Sequence, residues 1–284
     1  ILCAGAVNSP KLLLLSGIGD REELERHGIR VNVELPSVGC FFKDQPFLRM
    51  TYRSKVPTYN LTGGLRQKLA IAAKFVFHGE GPISNLFEAV GFLKSRPSEV
   101  MPDIRLTFLA LGFVESSEGH SKLAPFPALM VSLMKSYPVS CGRIRLVSND
   151  PAERPRIEYP LFANQADVDT MIRGIHTIRE IMTAEPIAGL IEEEIAPGQG
   201  VQSEAALERF VRKHATVALH SIGTCRMGVT DDAVVSPELR VHGLENLWVA
   251  DASIMPDHIS ADTNATSMMI GAKLGRQLCR GSSR

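Results

Sequence analysis

One histidine stands in the run Ala218-Leu219-His220-Ser221-Ile222-Gly223-Thr224-Cys225-Arg226-Met227-Gly228, beside a small, polar turn that a flat ligand can approach closely. Taking a hydride from an alcohol carbon becomes easy as the hydroxyl proton leaves, so that chemistry needs a base titrating near neutrality, and histidine is the first candidate. A lone histidine is more often packed or at a surface, and His220 by its type alone does not make a site. Downstream, Leu247-Trp248-Val249-Ala250 reads as a buried strand that delivers the carboxylate of Asp251 at its C-terminal end, where ligands bind in open α/β sheets. Thr263 or Asn264 can then cap a helix whose Ala265, Met268, Met269 and Ala272 recur at helical spacing and are expected to face the core. The start of that helix has free N–H groups and a positive dipole end that would stabilise negative charge on a ligand, as every helix start does.

The elements that would hold such a site begin at the N-terminus. Ile1-Leu2-Cys3-Ala4-Gly5-Ala6-Val7-Asn8-Ser9-Pro10 reads as a strand and a glycine turn, then a helix through Leu15 with Ser9 as N-cap, Pro10 in the first turn and Gly17 as its stop. Such a turn lets a cofactor's phosphate or sugar come close, and a purely structural turn would look the same. A second short helix starts at Asp20, with Glu23 placed for a capping box and Gly28 as its stop.

The middle of the chain has a different texture. Ile104-Arg105-Leu106-Thr107-Phe108 and Arg143-Ile144-Arg145-Leu146-Val147 alternate apolar with polar residues, as strands of an antiparallel sheet with one wet face would. A helix from Ala166 to Met182, with Asn164 as cap, would bury Val168, Met171, Ile172, Ile175 and Met182. Residues 115–127, polar and then proline-rich, read as a loop over a substrate entrance. The expected organisation is 1–46 as a cofactor-domain segment, 47–215 as a substrate domain, and 216–284 as a returning cofactor and active-site segment. The fold class is α/β with α+β character: part of a Rossmann-like domain, and an antiparallel sheet flanked by helices.

Long ordered motifs at both ends resemble the glucose-methanol-choline (GMC) oxidoreductases, FAD enzymes that oxidise alcohols. Residues 5–19, Gly-Ala-Val-Asn-Ser-Pro-Lys-Leu-Leu-Leu-Leu-Ser-Gly-Ile-Gly, resemble that family's second signature. The His220 run, Asp251-Ala252-Ser253-Ile254-Met255-Pro256 and Thr263-Asn264-Ala265-Thr266 resemble its C-terminal block, and residues 140–157 its middle. The resemblance covers nearly the whole chain and points to the choline and alcohol dehydrogenase-like branch. It implies His220 as the catalytic base, and Asn264 as the second active-site residue, binding the substrate oxygen. It further implies FAD contacts from Ala4, Gly5, Asp251, Ala252, Asn264 and Thr266. The implied substrate is a primary alcohol, choline-like in one branch. The expected type is a dehydrogenase, with a quinone, a carrier protein or oxygen as electron acceptor. His242 and His258 match no catalytic position, although His258 lies near the active-site helix in sequence.

Some positions depart from the family pattern: Phe41 and Phe42 stand for the usual Asn-Leu, Gln45 for the usual His, and Ala261-Asp262 for the frequent Gly-Asn before Thr-Asn-Ala. If Asp262 points inward, its charge would disfavour an anionic reduced flavin. No G-x-G-x-x-G follows a strand, and that loop is what binds the cofactor pyrophosphate. The expectation is therefore that the 284 residues are the C-terminal part of a longer enzyme, with the N-terminal part of that enzyme missing. Two alternatives keep the fold: a non-catalytic remnant of a truncated gene, and a member resembling the hydroxynitrile lyases, which keep flavin without its redox chemistry.

Composition bounds the rest. Lys plus Arg and Asp plus Glu are 31 each, so no net field recruits nucleic acid or an anionic membrane. No apolar run approaches the roughly 20 residues needed to cross a bilayer. Five scattered cysteines form no C-x-x-C, which argues against a metal site or a disulfide framework and for a reducing cytoplasm.

Overall fold

In a computed structural model the described residues are 1–60, 65–79, 87–115 and 121–281. The chain divides into two compact units: Ile1–Gln45, Tyr137–Asn164 and Val217–Arg284 form unit 1, and Pro46–Ser136 with Gln165–Thr216 form unit 2. Along the chain come α1 (Gly5–Leu15), β1 (Ile18–Gly19), α2 (Arg21–Arg26), β2 (Val33–Glu34), β3 (Pro46–Ser54), α3 (Leu65–His78) and β4 (Ala89–Leu93). They are followed by β5 (Ile104–Leu109), β6 (Phe113–Glu115), β7 (Ser121–Leu123), β8 (Ala128–Lys135), β9 (Arg143–Arg145) and β10 (Arg156–Glu158). The rest are α4 (Gln165–Thr183), β11 (Ile191–Ala196), α5 (Glu204–His214) and α6 (Thr263–Gly281).

Unit 1 brings the two chain ends side by side. Leu2 bridges Val249 in parallel, Leu2 N–H donating to the Trp248 carbonyl at 2.7 Å and Ala250 N–H to the Leu2 carbonyl at 2.8 Å. Val249 is fully buried in a core with Leu13, Leu14, Leu24, Ile222, Val234 and Val241. The expected helix α1 is present, but it starts at Gly5 rather than after Ser9, so Pro10 lies inside it. That is tolerated because the carbonyl that Pro10 cannot serve, Ala6 O, accepts the Thr224 hydroxyl at 2.6 Å. Ser9 is not the N-cap. Its buried hydroxyl accepts from Ala4 N–H at 3.1 Å and donates to Asp251. Gly17, at φ 75°, ends the helix as expected, and Asp20 caps α2 by accepting from Glu23 N–H. Glu23 does not complete a capping box; it turns to Arg145 and the Leu146 N–H.

The sequence expectation for α6 is corrected. Met268 and Met269 are 63% and 53% exposed, Ala265 and Ala272 are exposed too, and the buried face carries Ile270 and Leu274 with half-buried Leu278. Two apolar stripes compete on this helix, and the one spaced four and eight residues from Ile270 meets the core. A second correction concerns 143–147: β9 joins no large sheet but pairs with β10 in a two-stranded antiparallel ribbon of unit 1. Residues 137–164 accordingly cluster with unit 1 rather than with the middle section.

Unit 2 is built on an antiparallel sheet in the order β11-β3-β8-β5-β4. Register places Leu48 opposite Leu133, and Met50 opposite Val131, on one face. α4 lies on that face and buries Val168, Met171, Ile172, Ile175, Ile178 and Met182, as its periodicity predicts except for the added Ile178. Gly174 allows the close approach, since a Cβ there would sit 2.5 Å from a Leu133 methyl. Lys135 Nζ lies 3.4 Å from Asp167 and 3.0 Å from the Thr170 hydroxyl, a buried ion pair tying β8 to α4. Of the 115–127 segment, residues 116–120 lie outside the described residues, and Ser121–Leu123 pairs with Phe113–Glu115 as a hairpin ladder.

Candidate active site

His220 is held within unit 1 by a facing segment more than 170 residues away in sequence. Lys43 and Ile222 exchange main-chain hydrogen bonds, and Ala218 N–H donates to the Gln45 carbonyl at 2.9 Å. Gly223 at φ 89° lets the two segments meet, because a Cβ there would fall 2.3 Å from the Phe41 carbonyl oxygen. Phe41 and Leu219 both adopt positive φ on this path, at 59° and 63°. Strain of that kind persists only where surrounding contacts over-determine the backbone.

Asp44 supplies those contacts. Its buried carboxylate accepts from Gln45 N–H at 2.8 Å, His220 N–H at 3.0 Å and the Ser221 hydroxyl at 2.7 Å. Burial pushes its carboxyl upward, and the hydrogen bonds from Ser221, His220 and Gln45 oppose that shift. The main chain on both sides of the imidazole is therefore anchored.

The ring is oriented next. Gln45 donates its amide to the Ile259 carbonyl at 3.0 Å, which turns its carbonyl oxygen toward His220 Nδ1 at 2.8 Å. An amide oxygen can only accept, so Nδ1 carries the proton and Nε2 is the nitrogen turned to chemistry. Asp262 reaches that side, its Oδ1 lying 3.2 Å from Nε2 with an exposed side chain, whereas His220 is mostly buried. Gln45 and Asp262 stood out in the sequence only as departures from a pattern. Here both are partners of His220, and Asp44, which the sequence reading passed over, fixes its backbone.

Asn264 lies exposed in the first turn of α6, two residues beyond Asp262, and its amide makes no side-chain hydrogen bond to any described residue. Thr266 is half-buried one half-turn further along. α6 packs against the turn Ala252–Ile254 that follows the Val249–Asp251 segment.

The remaining cofactor candidates gather at the C-terminal ends of the two parallel segments. Asp251 is buried and spends its carboxylate on its own fold: Oδ2 accepts from Gly5 N–H at 3.0 Å and the Ser9 hydroxyl at 2.5 Å, Oδ1 from Ser253 N–H at 2.8 Å. It thus locks the Ala4-Gly5 turn to the Ala252 turn. Ala4 is exposed, and a Cβ on Gly5, at φ 81°, would meet nothing within 4 Å. Ala4 offers α1 no side-chain cap, and the Asp251 carboxylate meets the helix start instead through Gly5 N–H. The exposed Ala4-Gly5 turn at these strand ends leaves its backbone open to close approach by a ligand.

His258 and His242 have other surroundings. His258 is 5% exposed, neither ring nitrogen makes a hydrogen bond, and burial lowers its pKa to about 4. His242 Nε2 lies 3.4 Å from the Gly228 carbonyl.

The family model for the GMC oxidoreductase C-terminal domain matches residues 138–271. The chain is 39% identical over 277 residues to the oxygen-dependent choline dehydrogenase of Klebsiella pneumoniae, covering 96% of this chain and 49% of that protein. Pyridoxine 4-oxidase from Mesorbium loti superposes with a TM-score of 0.82 at 26% identity, over 97% of this chain and 50% of that one. Formate oxidase from Aspergillus oryzae does so with a TM-score of 0.86 at 28% identity, over 96% and 52%. The chain spans about half the length of the relatives it matches. Residues 138–271 thus match the C-terminal domain of the GMC oxidoreductases, and the chain is similar to a choline dehydrogenase along nearly all of its length.

Proposed function

We propose that the protein oxidises the CH–OH group of an alcohol with FAD, His220 taking the hydroxyl proton. The observation that carries this reading is the imidazole clamped by Gln45 through Nδ1, leaving Nε2 as the proton acceptor. Asn264 has a free amide in the first turn of α6, suited to donate a hydrogen bond to the substrate oxygen as its proton leaves. Asp262 Oδ1 lies 3.2 Å from Nε2, and because a carboxylate has no proton to donate, that contact has to open before Nε2 can accept the hydroxyl proton. Ala4, Gly5, Ala252 and Thr266 would hold the cofactor, with Asp251 positioning their turns from behind. Bound FAD would supply the acceptor for the hydride of the alcohol carbon. Unit 2, with its antiparallel sheet, is the substrate-holding unit in this reading. Oxygen is the acceptor best supported by the names of the relatives, an oxygen-dependent dehydrogenase and two oxidases.

Among the described residues no helix is long and apolar enough to cross a membrane. Cys3, Cys40, Cys141 and Cys225 are thiols outside any disulfide, which supports a reducing compartment such as the cytoplasm. The test is the visible spectrum of the purified protein: bound flavin that an alcohol bleaches without oxygen supports the reading. Bound flavin that no alcohol bleaches contradicts it.

A further inference from the structure

The face of the unit 2 sheet turned away from α4 carries a cation that the structure leaves unneutralised. Along β3 the residues alternate, so Phe47, Arg49, Thr51 and Arg53 share this face. Arg53 is paired with Glu193 at 2.7 Å, and on the opposite side Arg179 is paired with Glu194 at 2.8 Å. Arg49 has no carboxylate partner among the described residues. Its guanidinium instead lies over two rings, 5.2 Å from the centre of Phe47 and 5.8 Å from that of Phe113.

That arrangement matters chemically. Aromatic faces hold a guanidinium in place through its π surface and leave the in-plane N–H fork unspent, so the donors stay available to a planar anion. Arg49 lines a cavity of about 760 Å³ that lies wholly within unit 2. Phe210 and His214 form one wall, their rings 4.7 Å apart, and Lys213 adds a second cation. Among the described residues of the lining the acid is Glu115, which lies 3.5 Å from His214. The volume suits a small organic ligand, and the balance of charge among the described lining residues is positive.

We propose that this cavity takes the carboxylate end of an alcohol with an aromatic or apolar body, Arg49 binding the carboxylate through its fork. The proposal rests on the reading of unit 2 as the substrate-holding unit. It separates this chain from the choline dehydrogenases that it resembles. A trimethylammonium group needs open aromatic faces and acidic company, whereas here Phe47 and Phe113 are already engaged by Arg49 and a second cation stands in the lining.

The test uses the flavin-loaded protein with 4-(hydroxymethyl)benzoate, benzyl alcohol and choline as substrates, and ligand-observed NMR with benzoate and benzyltrimethylammonium as probes. The expected result is saturation transfer to benzoate and not to benzyltrimethylammonium. Arg49→Met should abolish that signal and raise KM for 4-(hydroxymethyl)benzoate roughly 10- to 100-fold, with KM for benzyl alcohol unchanged. Arg49→Lys, which keeps the charge and loses the fork, should restore part of the effect. Turnover of choline or benzyl alcohol without benzoate binding, or a KM for the acid that ignores Arg49, overturns the proposal and leaves the alcohol oxidation reading intact. Benzoate binding that depends on Arg49, with no alcohol of any class turned over, supports the cavity and overturns the oxidation reading instead.

Discussion

Replacing His258 by Leu should stabilise the protein and flatten its response to acid. The side chain is buried, neither ring nitrogen is hydrogen-bonded, and its pKa is lowered from 6.5 to about 4, chiefly by burial. Asp257 and the Lys43 main chain favour the charged form, the Lys43 ammonium and His220 oppose it, and burial outweighs them all. A histidine that resists protonation in the folded state takes up fewer protons than the unfolded chain between pH 6.5 and 4. Its contribution to stability is therefore intact above 6.5, falls as the pH drops through that window, and levels off below 4. Integrating between these two values gives a loss of about 2 kcal/mol at pH 5 and about 3 kcal/mol at pH 4. Leu has a similar volume and no ring nitrogen to satisfy, so the variant should also gain roughly 1–2 kcal/mol at pH 7. Urea unfolding of both proteins at pH 7 and pH 5 measures the difference, which should widen by about 2 kcal/mol at the lower pH. Parallel losses of stability in the two proteins would refute the assignment of His258 as a buried neutral ring.

Three further outcomes follow from packing and hydrogen bonding. Lys135→Met should cost about 3–5 kcal/mol in urea unfolding, because it breaks the buried pair between β8 and α4; a loss below about 1 kcal/mol would mean that the pair does not hold the two elements together. Gly223→Ala should cost at least about 2 kcal/mol, since a Cβ at φ 89° meets the Phe41 carbonyl, and the variant should lose alcohol oxidation with its fold. Gln45→Leu should leave the fold in place and lower kcat about 10- to 100-fold, because Nδ1 loses the acceptor that sets its tautomer; an unchanged kcat would remove Gln45 from its orienting role.

What the residues disclosed in advance was local. Gly17 and Gly28 punctuate α1 and α2 as their left-handed conformations require, and the periodicity of α4 marks Val168 to Met182 as its buried face. The Val249 segment, read as a buried strand from its composition, does deliver Asp251 to the end of a parallel pair. Where two readings had equal local support, the sequence had no means to choose. Helix α6 offers two apolar stripes, and Ser9 can cap a helix or brace a carboxylate 242 residues away. The clamp on His220 is non-local in the same way: only the pairing of 43 with 222 brings Asp44 to its main chain and Gln45 to its ring. Asp262 and Gln45 were visible as departures from a family pattern, and their partnership with one imidazole required the fold.

The central claim is that His220 removes the alcohol proton. Flavin-loaded protein and its His220→Ala variant, mixed with alcohol without oxygen, should bleach at rates differing by about 10²- to 10⁴-fold, with the visible spectrum before mixing unchanged. Bleaching at near-equal rates in the two proteins would contradict the account and leave His220 as a structural residue.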